Sequence, residues 1–274
     1  MNIFSETAAF ARDLWIRRGM IAQLAARDFQ NRYTGSTLGF VWTFIQPLTM
    51  VAIFWFVLGV VFDAGALRGA PFFAYVLVGI SAWNFFSEAI LMSTGVFQEY
   101  AFLVRKVDFK IAVLPIVKIL SSLFVHAIFL GLVMLLLLLT GTRPTTWWFQ
   151  TLYYLAGLCL LLLGTGLATS SLNVFSKDVA YLVNVLLQFG FWLTPIIWHV
   201  GQVEGRSEWS WCLRYLKLNP MFYIVEGYRK SLINPAPFWG EPKQTLYFWA
   251  VTLLFLLAGT IVFKRLKPHF ADVL

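Results

Sequence analysis

The feature that most constrains this chain is one junction, where a charged segment runs directly into a long uncharged apolar one. Arg27, Asp28 and Arg32 lie just before the junction, whereas residues 37–62 carry no charged side chain. About 20 apolar residues in a helix cross the hydrocarbon core of a bilayer, which is ~30 Å thick. Positive charges beside a span favour the cytoplasmic side. The junction therefore predicts a first membrane span, residues 38–62, whose N-terminal end faces the cytoplasm.

The composition extends this interpretation to the whole chain. Its 274 residues are 59% hydrophobic and 12% charged, and the surface of a soluble domain needs more charge than that. The net charge of +8 does not indicate a nucleic acid partner, because Lys and Arg concentrate beside membrane spans and contact anionic lipid. The opening residues lack the apolar region and cleavage site of a secretory signal, so we expect the N-terminus to stay on the chain and in the cytoplasm.

Hydropathy divides the chain into spans and connections. We predict an all-α polytopic integral membrane protein, one domain over residues 1–274, with six transmembrane helices. An amphipathic cytoplasmic segment at 1–36 contains an N-terminal interface helix, and a charged connection occupies 95–110. The predicted spans are residues 38–62, 71–92, 111–139, 147–172, 179–199 and 245–263.

The distribution of Lys and Arg tests this topology. With the N-terminus inside, the cytoplasmic segments hold five, three, one and three of them, and the outer loops hold one, one and six. The six lie in the long stretch at 200–244, and long loops follow the positive-inside rule less strictly. Six spans with both termini cytoplasmic fit this distribution. The long stretch is amphipathic and broken at Asn219-Pro220, which predicts two short re-entrant helices on the outer side, sheltered by the bundle.

Motifs for catalysis and energy coupling are absent from the sequence. There is no phosphate-binding GxxxxGK[ST] loop, no HExxH and no Cys/His cluster. The spans lack the chains of ionisable residues that a proton relay needs. We therefore expect no catalytic residue, no metal and no cofactor in this chain. A transporter of this kind would receive its energy from another subunit.

Aromatic and amide side chains give the positive signal. The chain has 27 Phe, 12 Trp and 10 Tyr, many at positions typical of the interfacial belt. Others lie mid-span beside Asn and Gln, and the fifth span has a polar and aromatic stripe at helical spacing. Sugar rings have apolar C–H faces and hydroxyl edges, so such a wall suits a sliding glycan. The candidates for lining a channel are Trp42, Gln46, Trp83, Asn84, Asn184, Gln188 and Trp192.

Four stretches together resemble one family of membrane proteins. They are RDFQNRYTGSTLGFVWTFIQP (27–47), LVRKVDFKIAVLP (103–115), LNPMFYIVEGYRKSLI (218–233) and FKRLKPHFADVL (263–274). In this order and spacing they are similar to the membrane subunit of an ABC-2 type transporter, specifically the O-antigen and capsular polysaccharide export permeases. One departure is Lys110, where the family commonly has proline after the phenylalanine.

The resemblance implies a transport subunit that is not itself an enzyme. It implies a homodimer in the bacterial inner membrane, driven by two copies of a cytoplasmic ATPase that binds ATP and Mg, with a lipid-linked glycan as substrate. The connection after the second span would couple to the ATPase through Glu99, Tyr100, Arg105 and Lys106. Residues 211–233 would form an outer gate with the candidates Tyr215, Asn219, Pro220, Tyr223 and Arg229.

Two arginines and three alternative functions complete the sequence-based expectations. We expect the pyrophosphate of a lipid-linked glycan near Arg27 or Arg32, because both lie beside the cytoplasmic end of the first span.

An ABC-2 exporter of teichoic acid or of a small amphiphile is an alternative within the same class. A membrane-embedded glycolipid transferase would need an Asp/Glu/His constellation at one membrane face. A channel or structural membrane protein would not need the charged connection at 95–110.

Overall fold

The computed structural model describes residues 12, 15–67, 69–104, 110–201 and 210–274, and these residues form a bundle of helices. One hairpin, β1 (Ala66–Leu67) paired antiparallel with β2 (Ala70–Pro71), is the β structure of this part of the chain. The helices are α1 Arg18–Asn31, α2 Trp42–Phe54, α3 Phe72–Glu99, α4 Ala101–Val104, α5 Leu114–Leu139, α6 Gln150–Asn173, α7 Asp178–Leu193, α8 Ser210–Leu216, α9 Pro220–Leu232, α10 Pro242–Leu266 and α11 Phe270–Val273.

Among the described residues, five helical segments are long and apolar enough to cross a membrane. With adjoining 3₁₀ or π turns, they are Gly39–Val61, Phe72–Glu99, Ile111–Leu139, Thr146–Asn173 and Pro242–His269. The prediction of an all-α polytopic membrane protein is confirmed in this form.

Two helices differ in length from the predicted spans. Helix α3 continues to Glu99, seven residues past the predicted end at 92. Helix α7 has 16 residues and is about 24 Å long at 1.5 Å per residue, which is less than the ~30 Å core. In the part of the chain that the structure describes, a sixth span is therefore not present as one regular helix.

The first span changes helix type along its length. A 3₁₀ turn at Gly39–Val41 leads into α2, and α2 passes through Pro47 before it becomes a π-helix at Trp55–Val61. Proline removes a backbone donor from a helix, and π segments often occur at functional positions. In the most apolar 18-residue stretch of this span, only 6% of the residues are buried within the subunit.

Helix α3 is the centre of the bundle. In its most apolar window 67% of the residues are buried, and α5, α6, α7 and α9 pack around it. Helix α10 packs on α6, where backbone approaches backbone: a Cβ added at Gly164 would lie 2.5 Å from the backbone nitrogen of Leu256. Small residues permit such close crossings in membranes. Helix α1 lies against α5, with Ile21 and Ala25 buried on Val113 and Val117.

Candidate functional site

A buried lysine connects three helices at the C-terminal end of α3. Lys118, on α5, is 1% exposed. Its Nζ lies 2.5 Å from Oδ1 of Asp28 on α1 and 2.7 Å from Oε2 of Glu99, the last residue of α3. A buried cation is stable only when carboxylates or other acceptors compensate its lost hydration. The two ion pairs therefore attach α1 and the end of α3 to α5.

Further side chains extend this arrangement. The hydroxyl of Tyr100 donates to Oδ1 of Asp28 at 2.9 Å, and the ring of Tyr100 lies 5.2 Å from Nζ of Lys118. Arg32, one turn after Asp28, forms an ion pair with Glu88 of α3. We call Asp28, Arg32, Glu88, Glu99, Tyr100 and Lys118 the lysine cluster.

The protonation of two groups follows from their surroundings. Burial of Asp28 tends to raise the pKa of its carboxyl, but Lys118, Ser121 and Tyr100 outweigh this and hold that pKa below its usual value of 3.8. Burial and the adjacent charge of Asp28 raise the pKa of the Tyr100 phenol. At neutral pH Asp28 is therefore an anion and Tyr100 is a neutral donor, as their hydrogen bond requires.

The predicted coupling and pyrophosphate residues are only partly brought together. Glu99 and Tyr100 lie in the lysine cluster, and Arg105 and Lys106 lie outside the described residues. Arg32 is in the same cluster, whereas Arg27 is exposed on α1. The structure therefore places Glu99, Tyr100 and Arg32 in one ionic arrangement and leaves Arg27 apart from it.

A second candidate region is formed by amides on two poorly covered helices. Gln46 on α2 and Asn184 and Gln188 on α7 are all exposed, and we call these three residues the amide face. Polar side chains within a membrane usually face a bundle interior or a wet cavity, because exposure to lipid is costly. Two predicted channel tryptophans lie on the same helices, with Trp42 38% and Trp192 68% exposed.

Trp83 and Asn84 connect α3 to these two helices. Trp83 is 5% exposed. A Cβ added at Gly190 of α7 would lie 2.8 Å from its indole ring, so glycine permits this approach. The amide of Asn84 is half-buried and donates to the sulfur of Met50 on α2 at 3.4 Å. Of the predicted channel residues, these two therefore lie inside the subunit and position α2 and α7.

A buried arginine occupies the other end of α3. Arg229 of α9 is 1% exposed. Its Nη1 donates to the carbonyl of Pro195 at 2.5 Å and its Nη2 to that of Ile196 at 2.8 Å. Nη1 also lies 2.8 Å from Oε1 of Glu226, and the guanidinium lies 3.7 Å from the ring centroid of Tyr75 on α3. We call Arg229, Glu226, Tyr75, Pro195 and Ile196 the arginine cluster.

The other predicted gate residues organise the start of α9. The side-chain oxygen of Asn219 accepts from the backbone N–H of Met221 at 2.9 Å, and its amide nitrogen donates to the hydroxyl of Thr194 at 2.8 Å. Asn219 is thus an N-cap, with Pro220 at the first helical position. Tyr223 is buried, and its hydroxyl lies 3.0 Å from that of Thr245. Tyr215 is exposed on α8.

Sequence reasoning missed Asp28, Lys118 and Glu226 as functional residues. Two signals could have found the first two: a lone lysine inside an apolar span, and an aspartate on the apolar side of an amphipathic helix. Each charge needs a partner, and they are partners. Among the described residues, no group of three or more His, Cys, Asp or Glu could hold a metal ion.

Comparisons with known proteins agree with this architecture. Residues 20–233 match the family described as ABC-2 type transporter. The chain is 28% identical over 263 residues to the O-antigen export system permease protein RfbA of Myxococcus xanthus, covering 95% of this chain and 97% of that protein. It is 23% identical over 256 residues to the protein of the same name from Klebsiella pneumoniae, covering 93% and 95%. This chain, with its helical bundle and its charged connection after α3, belongs to the ABC-2 type transporter family.

Proposed function

We propose that the chain is the membrane-spanning subunit of an ABC exporter that moves a lipid-linked polysaccharide, of O-antigen or capsule type, out of the cytoplasm. Support for this class comes from family membership and from the names of relatives that align along almost the whole chain. ATP and Mg bind to a separate ATPase, present in two copies, and not to this chain. The complex lies in the inner membrane of a bacterium, with both termini of this chain cytoplasmic.

The lysine cluster is the observation that carries the coupling mechanism. Glu99 and Tyr100 are the residues at which α3 leads into the charged connection, and both contact side chains that also contact α1 or α5. Since Lys118 is buried and pairs with both Asp28 and Glu99, a displacement of the connection reaches α1 and α5 through ion pairs. An ATPase that binds residues 95–110 therefore moves the interface helix and the third span together.

The amide face supports a homodimer with a central path. Gln46, Asn184 and Gln188 project from α2 and α7, which have only two buried residues each. Facing a second copy, they escape contact with lipid and line a polar route. Exposed aromatic rings such as Trp42 and Trp192 supply the apolar surfaces on which sugar rings slide.

We propose that α9 forms the gate, at the outer end of the bundle. Helix α9 has 13 residues, about 20 Å in length, so it cannot span the membrane. Nearly all its side chains are buried, as expected of a re-entrant helix sheltered by protein.

The proposal keeps six spans. Helix α7, together with the turn that follows α7, is the fifth of them.

Of the two arginines proposed near the glycan pyrophosphate, Arg27 is the one available. Arg32 has an ion-pair partner in Glu88 and donates to the hydroxyl of Ser122 at 3.1 Å. Arg27 is exposed on the same helix, so its guanidinium is free to contact a phosphate. Unchanged export by an Arg27→Ala variant would remove this assignment.

The test is to purify the chain with its ATPase and measure ATP hydrolysis and glycan transport in vesicles. We expect a stable complex whose hydrolysis rises with lipid-linked polysaccharide. Arg105→Glu/Lys106→Glu should abolish that stimulation, and Lys177→Glu, which changes an exposed lysine in the turn before α7, is the matched control. A chain that binds no ABC ATPase would refute the proposal. Stimulation by teichoic acid or a small amphiphile, but not by polysaccharide, would keep the exporter and replace its substrate.

A further inference from the structure

A cavity of about 690 Å³ lies between α9 and the start of α10, and the proposed transport path does not use it. This volume is within the usual range for small-molecule sites, roughly 300–1,000 Å³. Three lysines, Lys217, Lys230 and Lys243, line the cavity together with Glu226 and Glu241.

The charges of this cavity do not cancel. Nζ of Lys230 lies 2.6 Å from Oε1 of Glu241, and Glu226 pairs with Arg229, so both carboxylates are compensated. Lys217 and Lys243 form no ion pair within the part of the chain that the structure describes. The cavity therefore has two cations available for an anion, and Lys230 beside them.

Hydrogen bonds between α10 and the turn that follows α8 hold the walls in place. The side-chain nitrogen of Gln244 donates to the carbonyl of Lys217 at 2.8 Å, and the hydroxyl of Tyr247 donates to the carbonyl of Leu218 at 2.8 Å. Lys217, in the turn after α8, and Lys243, in the first turn of α10, are thus brought to one cavity although they are 26 residues apart in sequence. A preformed site of this kind costs little ordering on binding.

The lysines of this cavity also account for part of the positive charge in residues 200–244. Residues 200–244 hold six Lys or Arg on the side where the positive-inside rule disfavours them. Arg229 is buried in the arginine cluster. Three of the other five line this cavity. Half of the six positive charges in this stretch therefore lie at one cavity.

We propose that this cavity binds a phosphate-bearing anion, and that the anion is the headgroup of an anionic phospholipid in the outer leaflet. Lysine ammonium groups bind phosphate as point charges, and Phe222 and Pro242 add an apolar wall suited to the glycerol and upper acyl region. The placement at the outer face rests on the proposed topology. Bound lipid would join α9 to α10 beside the gate.

The experiment measures thermal unfolding of the purified complex in detergent against three probes. They are short-chain phosphatidylglycerol, phosphatidylcholine of the same chain length, and inorganic pyrophosphate at constant ionic strength. We expect phosphatidylglycerol to raise the unfolding temperature and phosphatidylcholine not to do so. In Lys217→Gln/Lys243→Gln the half-saturating concentration should rise about tenfold or more, since two charge-assisted contacts are lost.

Arg214→Gln is the matched control, because Arg214 is exposed on α8, three residues before Lys217, and does not line the cavity. Stabilisation by pyrophosphate alone would support the site and replace the lipid with a soluble phosphate. Equal effects of phosphatidylglycerol and phosphatidylcholine without any effect of pyrophosphate, or an unchanged response in the double variant, would overturn the proposal. Glycan-stimulated ATP hydrolysis measured on the same wild-type complex separates this failure from a failure of the exporter assignment.

Discussion

The lysine cluster and the arginine cluster contain similar chemistry at opposite ends of one helix. Tyr75 of the arginine cluster and Glu99 of the lysine cluster are both residues of α3, and 24 residues of helix separate them by about 36 Å. That distance slightly exceeds the hydrocarbon core. Each cluster contains one fully buried cation, Arg229 beside one carboxylate and Lys118 beside two. The two clusters differ in how completely the hydrogen-bonding groups around that cation are satisfied.

In the arginine cluster, every nitrogen of the buried cation has an acceptor. All three nitrogens of the Arg229 guanidinium donate: Nε to the carbonyl of Tyr75, Nη1 to Pro195 and Glu226, and Nη2 to Ile196. Two of these acceptors are carbonyls just beyond the end of α7, which no longer have helical partners. A planar fork of donors suits such a set. The result fixes the end of α7 to α9 and α3 in one geometry.

The lysine cluster leaves bonding capacity unused. Among the described residues, Oδ2 of Asp28 and Nε of Arg32 have no hydrogen-bond partner, and these two side chains approach only to 3.9 Å. The Glu99 side chain is 53% exposed. Ammonium groups accept varied geometries, so this cluster can exchange partners when a helix moves. The difference between the clusters indicates that α3 has a fixed end at Tyr75 and an adjustable end at Glu99.

The largest loss of stability is expected at the arginine cluster. Arg229→Met should lower the free energy of unfolding by about 3–5 kcal/mol, because Glu226 would stay buried without its cation and the carbonyls of Pro195 and Ile196 would lose their donors. Thermal unfolding in detergent and the amount of protein in the membrane measure this loss. Arg214→Met, at an exposed site on α8, should behave like wild type. Equal stability of the two variants would show that the contacts of Arg229 do not stabilise the fold.

A smaller loss of stability but a larger change in coupling is expected at the lysine cluster. Lys118→Met should lower the free energy of unfolding by about 1–3 kcal/mol, since the exposed Glu99 carboxylate can rehydrate and buried Asp28 keeps the hydrogen bond from Tyr100 and the nearby charge of Arg32. ATP hydrolysis by the complex should persist while glycan export falls at least tenfold.

A double variant separates stability from coupling in that experiment. In Asp28→Asn/Lys118→Met no uncompensated charge is buried at Asp28, so we expect stability to return while export stays low. Lys177→Met controls for the loss of a positive charge on the same side. Full export by Lys118→Met would show that the cluster transmits nothing.

Sequence patterns predicted the helical class and the break before α9 because these depend on local features. Apolar length predicted the first, third and fourth candidate spans to within a residue or two of their observed bounds. Asn219-Pro220 predicted a break where α9 begins, because the side-chain cap and the proline both act within one turn. These signals need no knowledge of the neighbouring helices.

The clusters could not be predicted from local features, because their partners are distant in sequence. Asp28 and Lys118 are 90 residues apart, and Tyr75 and Arg229 are 154 apart. Trp83 sits mid-span beside amides like a channel residue, yet the glycine at 190 lets α7 cover it. The early end of α7 is likewise a tertiary effect, since Arg229 and Asn219 stabilise the turn that replaces its last helical residues.

The smallest and most specific effect is expected from one methyl group beside the arginine cluster. A Cβ at Gly79 of α3 would lie 2.8 Å from Nη2 of Arg229 and 3.3 Å from Val225. A flexible side-chain end normally moves away at little cost, but Nη2 is held by the carbonyl of Ile196, so overpacking should cost about 1–3 kcal/mol. Gly79→Ala should therefore be less stable in thermal unfolding than Gly95→Ala.

Gly95 is the matched control, because it lies on the same helix and a Cβ there meets nothing within 4 Å. Both substitutions gain up to about 1 kcal/mol of helix propensity, so their difference isolates the contact with Arg229. If Gly79→Ala were as stable as Gly95→Ala, the guanidinium would be able to shift as Lys118 is proposed to do. The distinction between a fixed end of α3 at Tyr75 and an adjustable end at Glu99 would then fail, although the membership of each cluster would stand.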